Sequence, residues 1–154
     1  MATEIVFENF IKDSKIAASY SLAIKNILSE ILEKGYPFSV ITNLPFVSFE
    51  PTLPSEIEGL LNEITLFTLD GYTLSSAYIE DDILSFEAGF GSENFGSVCT
   101  VYYHAIFQVS LDNSILFINP SATVEKYFKL DNIDKEQKER SMNAFKLNKK
   151  RKWT

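Results

Sequence analysis

One histidine, His104, and one cysteine, Cys99, are the only side chains of this 154-residue chain that ordinarily titrate close enough to neutrality to serve as a base or a nucleophile. Nucleophilic catalysis needs a nucleophile beside a base, so a single histidine leaves one arrangement to consider. His104 stands in Val101-Tyr102-Tyr103-His104-Ala105-Ile106. That apolar context suits a packed, hydrogen-bonded histidine at a strand end. Cys99 lies within an apolar alternation, where cysteine acts as a small buried hydrophobe rather than a reactive thiolate. One Cys and one His cannot complete a zinc shell. The triplet Glu80-Asp81-Asp82 lacks the spaced ligands and the glycine of a calcium loop and reads as a solvated hairpin tip. The expectation is therefore no enzyme, no metal and no cofactor.

Glycine offers a different kind of chemistry. Gly89-Phe90-Gly91 begins like a dinucleotide fingerprint, but Asn94 stands where the third glycine belongs, and a strand rather than a helix follows. Glycines within a strand bend it, form a bulge, or leave a backbone edge open to another chain. Such an edge can take up an extended peptide by strand addition, with backbone hydrogen bonds giving affinity and side-chain pockets giving specificity.

The elements around these residues follow from periodicity. Over residues 13–34 the apolar positions Ile16, Ala17, Tyr20, Ala23, Ile24, Ile27, Leu28, Ile31 and Leu32 recur at spacings of three and four, which predicts an amphipathic helix. Asp13 or Ser14 can cap its start, and Gly35 with Pro37 stops it. The stripe is wide enough to pack on a sheet and still offer surface to a second copy of the helix. Beyond it the period changes to two. Strands are expected over residues 38–42, 63–69, 73–79, 83–90, 97–103, 106–111 and 115–118, with a weak helical turn at 55–61. Pro45, Pro51 and Pro54 keep pairing short between the first two strands, and turns fall at 80–82, 91–96 and 112–114. Asn119-Pro120 closes the sheet, and a short helix is expected over 121–130. One helix followed by an antiparallel meander predicts an α+β fold with a strongly twisted sheet closing into a small barrel or sandwich.

Charge divides the chain in two. Residues 1–128 hold 5 Lys and Arg against 17 Asp and Glu, and residues 129–154 hold 9 against 4. An acidic body of net −12 thus carries a basic tail of net +5, the first expected to be one folded domain and the second loose. The body lacks the clustered cations that phosphate binding needs, so nucleic acid is not expected as its partner, and only the tail offers an alternative role in binding it. The start of the chain lacks a signal-peptide pattern, and no apolar run approaches the roughly 20 residues that span a bilayer. A cytoplasmic protein is expected. The tail ends in Lys149, Lys150, Arg151, Lys152, Trp153 and Thr154, and a tryptophan beside four cations suits a short docking motif.

Several strings resemble the SspB family of adaptors, which deliver tagged proteins to the ClpXP protease. They are Ile31-Leu32-Glu33-Lys34-Gly35, Phe38-Ser39-Val40-Ile41-Thr42, the stretch Ile83-Leu84-Ser85-Phe86-Glu87-Ala88-Gly89-Phe90-Gly91-Ser92, then Val101-Tyr102-Tyr103-His104-Ala105-Ile106 and Ile115-Leu116-Phe117-Ile118-Asn119-Pro120. The resemblance covers residues 13–120, and the long helix is more similar to the alphaproteobacterial branch. It implies a helix on an Sm-like barrel or sandwich, a homodimer through the N-terminal helix, and a groove for an extended degradation tag such as the ssrA tag. It further implies a tail that docks on the ClpX unfoldase. On the matching positions it points to Leu69, Asp70, Tyr72, Ala88, Gly89 and Phe90 for the groove, and to Lys149, Lys150, Arg151, Lys152 and Trp153 for docking. The chain departs from the family at Tyr102 and after the glycine turn, where proline is common, and at Gly89, where one branch carries a groove-lining arginine.

Overall fold

The computed structural model describes residues 2–123. The expected tail, and the expected helix beyond residue 123, lie outside the described residues.

Two helices open the chain, α1 (Ala2–Lys12) and α2 (Ser14–Lys34). Asp13 separates them: its carboxylate accepts hydrogen bonds from the backbone N–H of Lys15 at 2.8 Å and of Ile16 at 3.3 Å. Those amides head a new helix and have no carbonyl below them, which is the deficit an aspartate cap removes. At the other end Gly35 adopts φ +70°, and its N–H returns to the carbonyls of Ile31 and Leu32. Ile24, Leu28 and Ile31 are the fully packed positions of α2, at the spacings of its apolar stripe. The sequence pattern did not single out α1, which lies against α2. The Ser121 hydroxyl donates to the Ile11 carbonyl at 2.7 Å, tying α1 to the far end of the described chain.

The strands are β1 (Phe38–Asn43), β2 (Val47–Glu50), β3 (Ile64–Leu69), β4 (Tyr78–Ile79), β5 (Ile83–Phe90), β6 (Phe95–Tyr102), β7 (Ile106–Leu111) and β8 (Ser114–Ile118). Two short helices interrupt them, α3 (Ser55–Glu58) and α4 (Gly71–Ser76). They form two antiparallel four-stranded sheets rather than one meander: sheet A in the order β3-β1-β7-β8 and sheet B in the order β2-β6-β5-β4. The fold is α+β, and the sheets do not close.

The chain changes sheets at two corners. β1 passes to β2 through a 3-10 turn at Leu44–Phe46, where Pro45 breaks the ladder, and β6 passes to β7 through a second at Tyr103–Ala105. Because β1 pairs with β7 and β2 with β6, two long strands run side by side and bend together. The Phe46 and His104 rings meet edge to face at this bend, 5.8 Å apart. Between the sheets, Phe67 of β3 touches Phe49, Phe86 and Phe90 of sheet B at centroid distances of 5.5 to 6.5 Å. Burying aromatic side chains of this size stabilises by roughly 1.5–3 kcal/mol each.

The strand expected over residues 73–79 is replaced by α4 and the two-residue β4. Asp70 explains the change: its carboxylate accepts from the Gly71 N–H at 2.8 Å and caps a helix where alternation alone suggested extension. At the β7–β8 hairpin, Asp112 and Asn113 both have positive φ, the backbone of a tight two-residue turn.

Candidate functional site

Directly opposed residues of an antiparallel pair point to the same face of the sheet. Along β5 and β6 the pairs Leu84 with Val101 and Phe86 with Cys99 face the core. The alternate pairs, Glu87 with Val98 and Gly89 with Gly96, face outward, and Glu50 of β2 extends the first of these rows because it opposes Val98 from the other side. The glycine pair strips two adjacent strands of side chains at one level. What remains is a floor of bare backbone.

A cavity of about 380 Å³ stands on this floor, lined by Pro51, Tyr72, Glu87, Ala88, Gly89, Asn94, Gly96, Ser97 and Val98. Its walls are held by specific bonds. The Tyr72 hydroxyl donates to the Glu87 carboxylate at 2.5 Å, and this bond raises the tyrosine pKa. Ser97 Oγ donates to the Pro51 carbonyl at 2.8 Å, and the Glu87 N–H donates to Ser76 Oγ at 2.9 Å. Asn94, in a left-handed conformation with φ 55°, lays its amide over Gly89. A Cβ on Gly89 would fall 1.7 Å from Asn94 Oδ1, whereas one on Gly96 would meet nothing within 4 Å. A side chain at the first of these positions must displace the Asn94 amide, and one at the second displaces nothing.

Of the six groove residues expected from sequence, Tyr72, Ala88 and Gly89 come together in this cavity. Asp70 lines a neighbouring cavity of about 490 Å³ with Leu32, Pro37, Leu74 and Ala77. Leu69 is fully buried and supports the region from within the core. Phe90 turns inward and packs edge to face on Phe49 at 5.7 Å. The docking residues Lys149, Lys150, Arg151, Lys152 and Trp153 lie outside the described residues. Sequence reasoning missed Pro51, Glu87, Asn94, Gly96, Ser97 and Val98. The β5–β6 register would have named Gly96, Ser97 and Val98 from Gly89, Ala88 and Glu87, but register depends on the loop geometry that Asn94 fixes.

The two residues with catalytic side chains are placed as packing groups. Cys99 is fully buried, and burial pushes its thiol pKa well above the ordinary range. His104 stacks on Tyr102 at 5.3 Å and meets Phe46 edge-on, and it lines neither of the two cavities. Protein packed around the imidazole disfavours its charged form and lowers its pKa, although the residue keeps an exposed edge at the surface. Tyr103 donates to the Glu80 carbonyl, and burial together with Asp82 and Asp81 pushes its pKa up to about 12. Among the described residues no three or more His, Cys, Asp or Glu side chains group to hold a metal ion, and no helix is long and apolar enough to cross a membrane. Set against known proteins, the chain matches no family model and no curated protein.

Proposed function

We propose that this chain is a non-enzymatic adaptor that holds an extended degradation-tag peptide on the outer face of sheet B and delivers its substrate to the ClpXP protease. One observation carries the reading: the glycine-floored cavity adjoins a free strand edge. β4 pairs with β5 only at Leu84 and Ser85, and Ser76 takes the Glu87 N–H, so among the described residues no strand lies beside residues 88–90 on the side away from β6. An extended peptide placed there gains ladder hydrogen bonds from β5 and side-chain contacts from Tyr72 and Val98.

The rest of the reading follows the resemblance to the SspB family. The two sheets are taken as a form of the Sm-like fold, and the protein as cytoplasmic. The basic end, with Trp153 as apolar anchor, docks on ClpX and raises the local substrate concentration to about millimolar, as short flexible linkers do. Exposed Val6, Phe7 and Phe10 on α1 and Leu22 on α2 support a homodimer through the N-terminal helical segment.

The test is binding of tagged peptides and of purified ClpX to the full chain and to a truncation ending before Lys146. The full chain is expected to bind both and the truncation only the peptide. Failure of the full chain to bind either ends the adaptor reading, and unchanged ClpX delivery by the truncation removes the tail from it. Binding to RNA or DNA that falls steeply with salt and is lost with the tail would instead support the nucleic-acid role.

A further inference from the structure

We infer that the outer face of sheet A is a contact between two copies of this chain, packed sheet against sheet. It does not depend on the peptide-binding reading, which concerns sheet B, and it is separate from the contact through the N-terminal helical segment, since none of its residues belongs to α1 or α2.

Register fixes which side chains share that face. Leu66, Ile41, Gln108 and Ile118 oppose one another in turn from β3 through β1 and β7 to β8, and Thr68, Ser39, Ser110 and Ile115 form the next row. The residues alternating with them, Val40, Phe67 and Val109, are buried in the core, so both rows point outward. Leu66, Ile115 and Ile118 are 57, 61 and 47 % exposed. Neither row contains a charged residue. The polar members are already paired with one another: the Ser39 and Thr68 hydroxyls share a hydrogen bond at 3.1 Å, and Gln108 Nε2 donates to Ser110 Oγ at 3.2 Å. Water can leave this face at little cost, because each polar side chain in it keeps a partner.

Charge decides the occupant. Residues 1–128 carry a net charge of −12, so two copies repel each other wherever their carboxylates meet and close most readily through a face that has none. The basic residues 129–154 find no carboxylate there to hold them, and an acidic partner finds no cation. A neutral face is complementary to itself, as an isologous contact requires, and Ile41, Leu66, Ile115 and Ile118 of the two copies interdigitate when the sheets pack. Four strands of five to six residues, spaced about 4.8 Å apart, cover roughly 19 by 17 Å. With the relief of its side chains and the surrounding rim, a face of that size brings the area lost by two copies close to the roughly 1,000 Å² at which specific association begins. The contact is accordingly weak and concentration-dependent. Together with the helical contact it joins dimers into tetramers.

The experiment measures the mass of the full chain by light scattering from about 1 μM to about 1 mM. Phe7→Glu serves as the background, because it sets a charge on the exposed face of α1 and removes the helical contact. In that background the mass should double with concentration. Leu66→Glu combined with Ile118→Glu should hold it at one copy, whereas Leu60→Glu, at a residue 77 % exposed just beyond α3, should leave the doubling intact. A second arm adds no charge. Gln108→Cys puts a thiol on a central strand of the face, and Cys99, fully buried, does not compete for reagent. A bismaleimide spanning about 10 Å, the separation of packed sheets, should join two copies through it. A one-copy mass at every concentration, with the Gln108→Cys thiol freely reactive, overturns the proposal. The same mass with that thiol shielded overturns it in favour of residues 129–154 lying on the face. Doubling that survives Leu66→Glu with Ile118→Glu, with Gln108→Cys left unlinked, overturns it as well.

Discussion

At the inner end of the β5–β6 hairpin, Leu84 faces Val101 and Phe86 faces Cys99, none more than 1 % exposed. At the loop end of the same two strands, Gly89 faces Gly96 in the open. Strand direction and register are the same at both ends, and the difference between core and cavity is made by the face each pair occupies together with its residue type. Large side chains on the inward face hold the sheets together, whereas glycines on the outward face leave the backbone accessible, at a cost of roughly 0.5–1 kcal/mol per residue relative to alanine. Stability is concentrated on one face and access on the other.

The sharpest way to break this contrast is at the inner end. Phe86→Ala removes a ring packed 5.5 Å from Phe67 and should cost about 3–5 kcal/mol in denaturant unfolding, with no specific effect on the cavity in molecules that remain folded. At the loop end, Gly89→Val drives a side chain into Asn94 and should cost roughly 1–3 kcal/mol. The same change should abolish peptide binding. Adding Asn94→Gly, which removes the obstructing amide and tolerates positive φ, should return part of the stability in a double-mutant cycle. An additive cycle would show that Asn94 is not what makes glycine necessary at position 89.

The corner histidine supplies a smaller effect. Its pKa in the folded protein lies below the ordinary value of about 6.5, so the unfolded chain takes up the proton first and stability rises with pH. The His104 contribution should therefore be complete above the ordinary value, decline as pH falls through it, and level off below the lowered one. Its exposed edge keeps the change small. Replacing His104 with Phe should remove that part of the pH dependence, measured as the difference in unfolding free energy between neutral and mildly acidic buffers. Smallest of all, Gly96→Ala should gain about 0.5 kcal/mol, since its Cβ enters open space. Opposite signs at two directly paired glycines would separate the one that the close contact needs from the one it does not.

How much of this was legible in the sequence depends on whether a signal was local. The α2 stripe, its Asp13 cap and its Gly35 stop all act within a few residues, and the helix appears with those bounds. The strands expected over 83–90 and 106–111 agree for the same reason, since two-residue alternation spans each of them. The division into two sheets was hidden, because the corners at Pro45 and His104 look like ordinary loop and strand until β1 is seen pairing with β7 and β2 with β6. α4 was hidden by one cap: Asp70 outweighs the weak alternation after it. In the candidate site, Gly89 and Tyr72 were within reach of pattern and resemblance. Pro51 was not, for it follows a four-residue strand set between prolines and reaches the cavity only because that strand lies beside β6.

The bond from Ser121 to the Ile11 carbonyl joins residues 110 positions apart. During synthesis at about 5–20 residues per second, Ile11 waits roughly 6–20 s before its partner has even been made. Helix α1, with Phe7 and Phe10 on its surface, is thus made long before this bond can form. Until then α1 can lean on α2, and the turn at residues 120–123 adds the fastening that comes last.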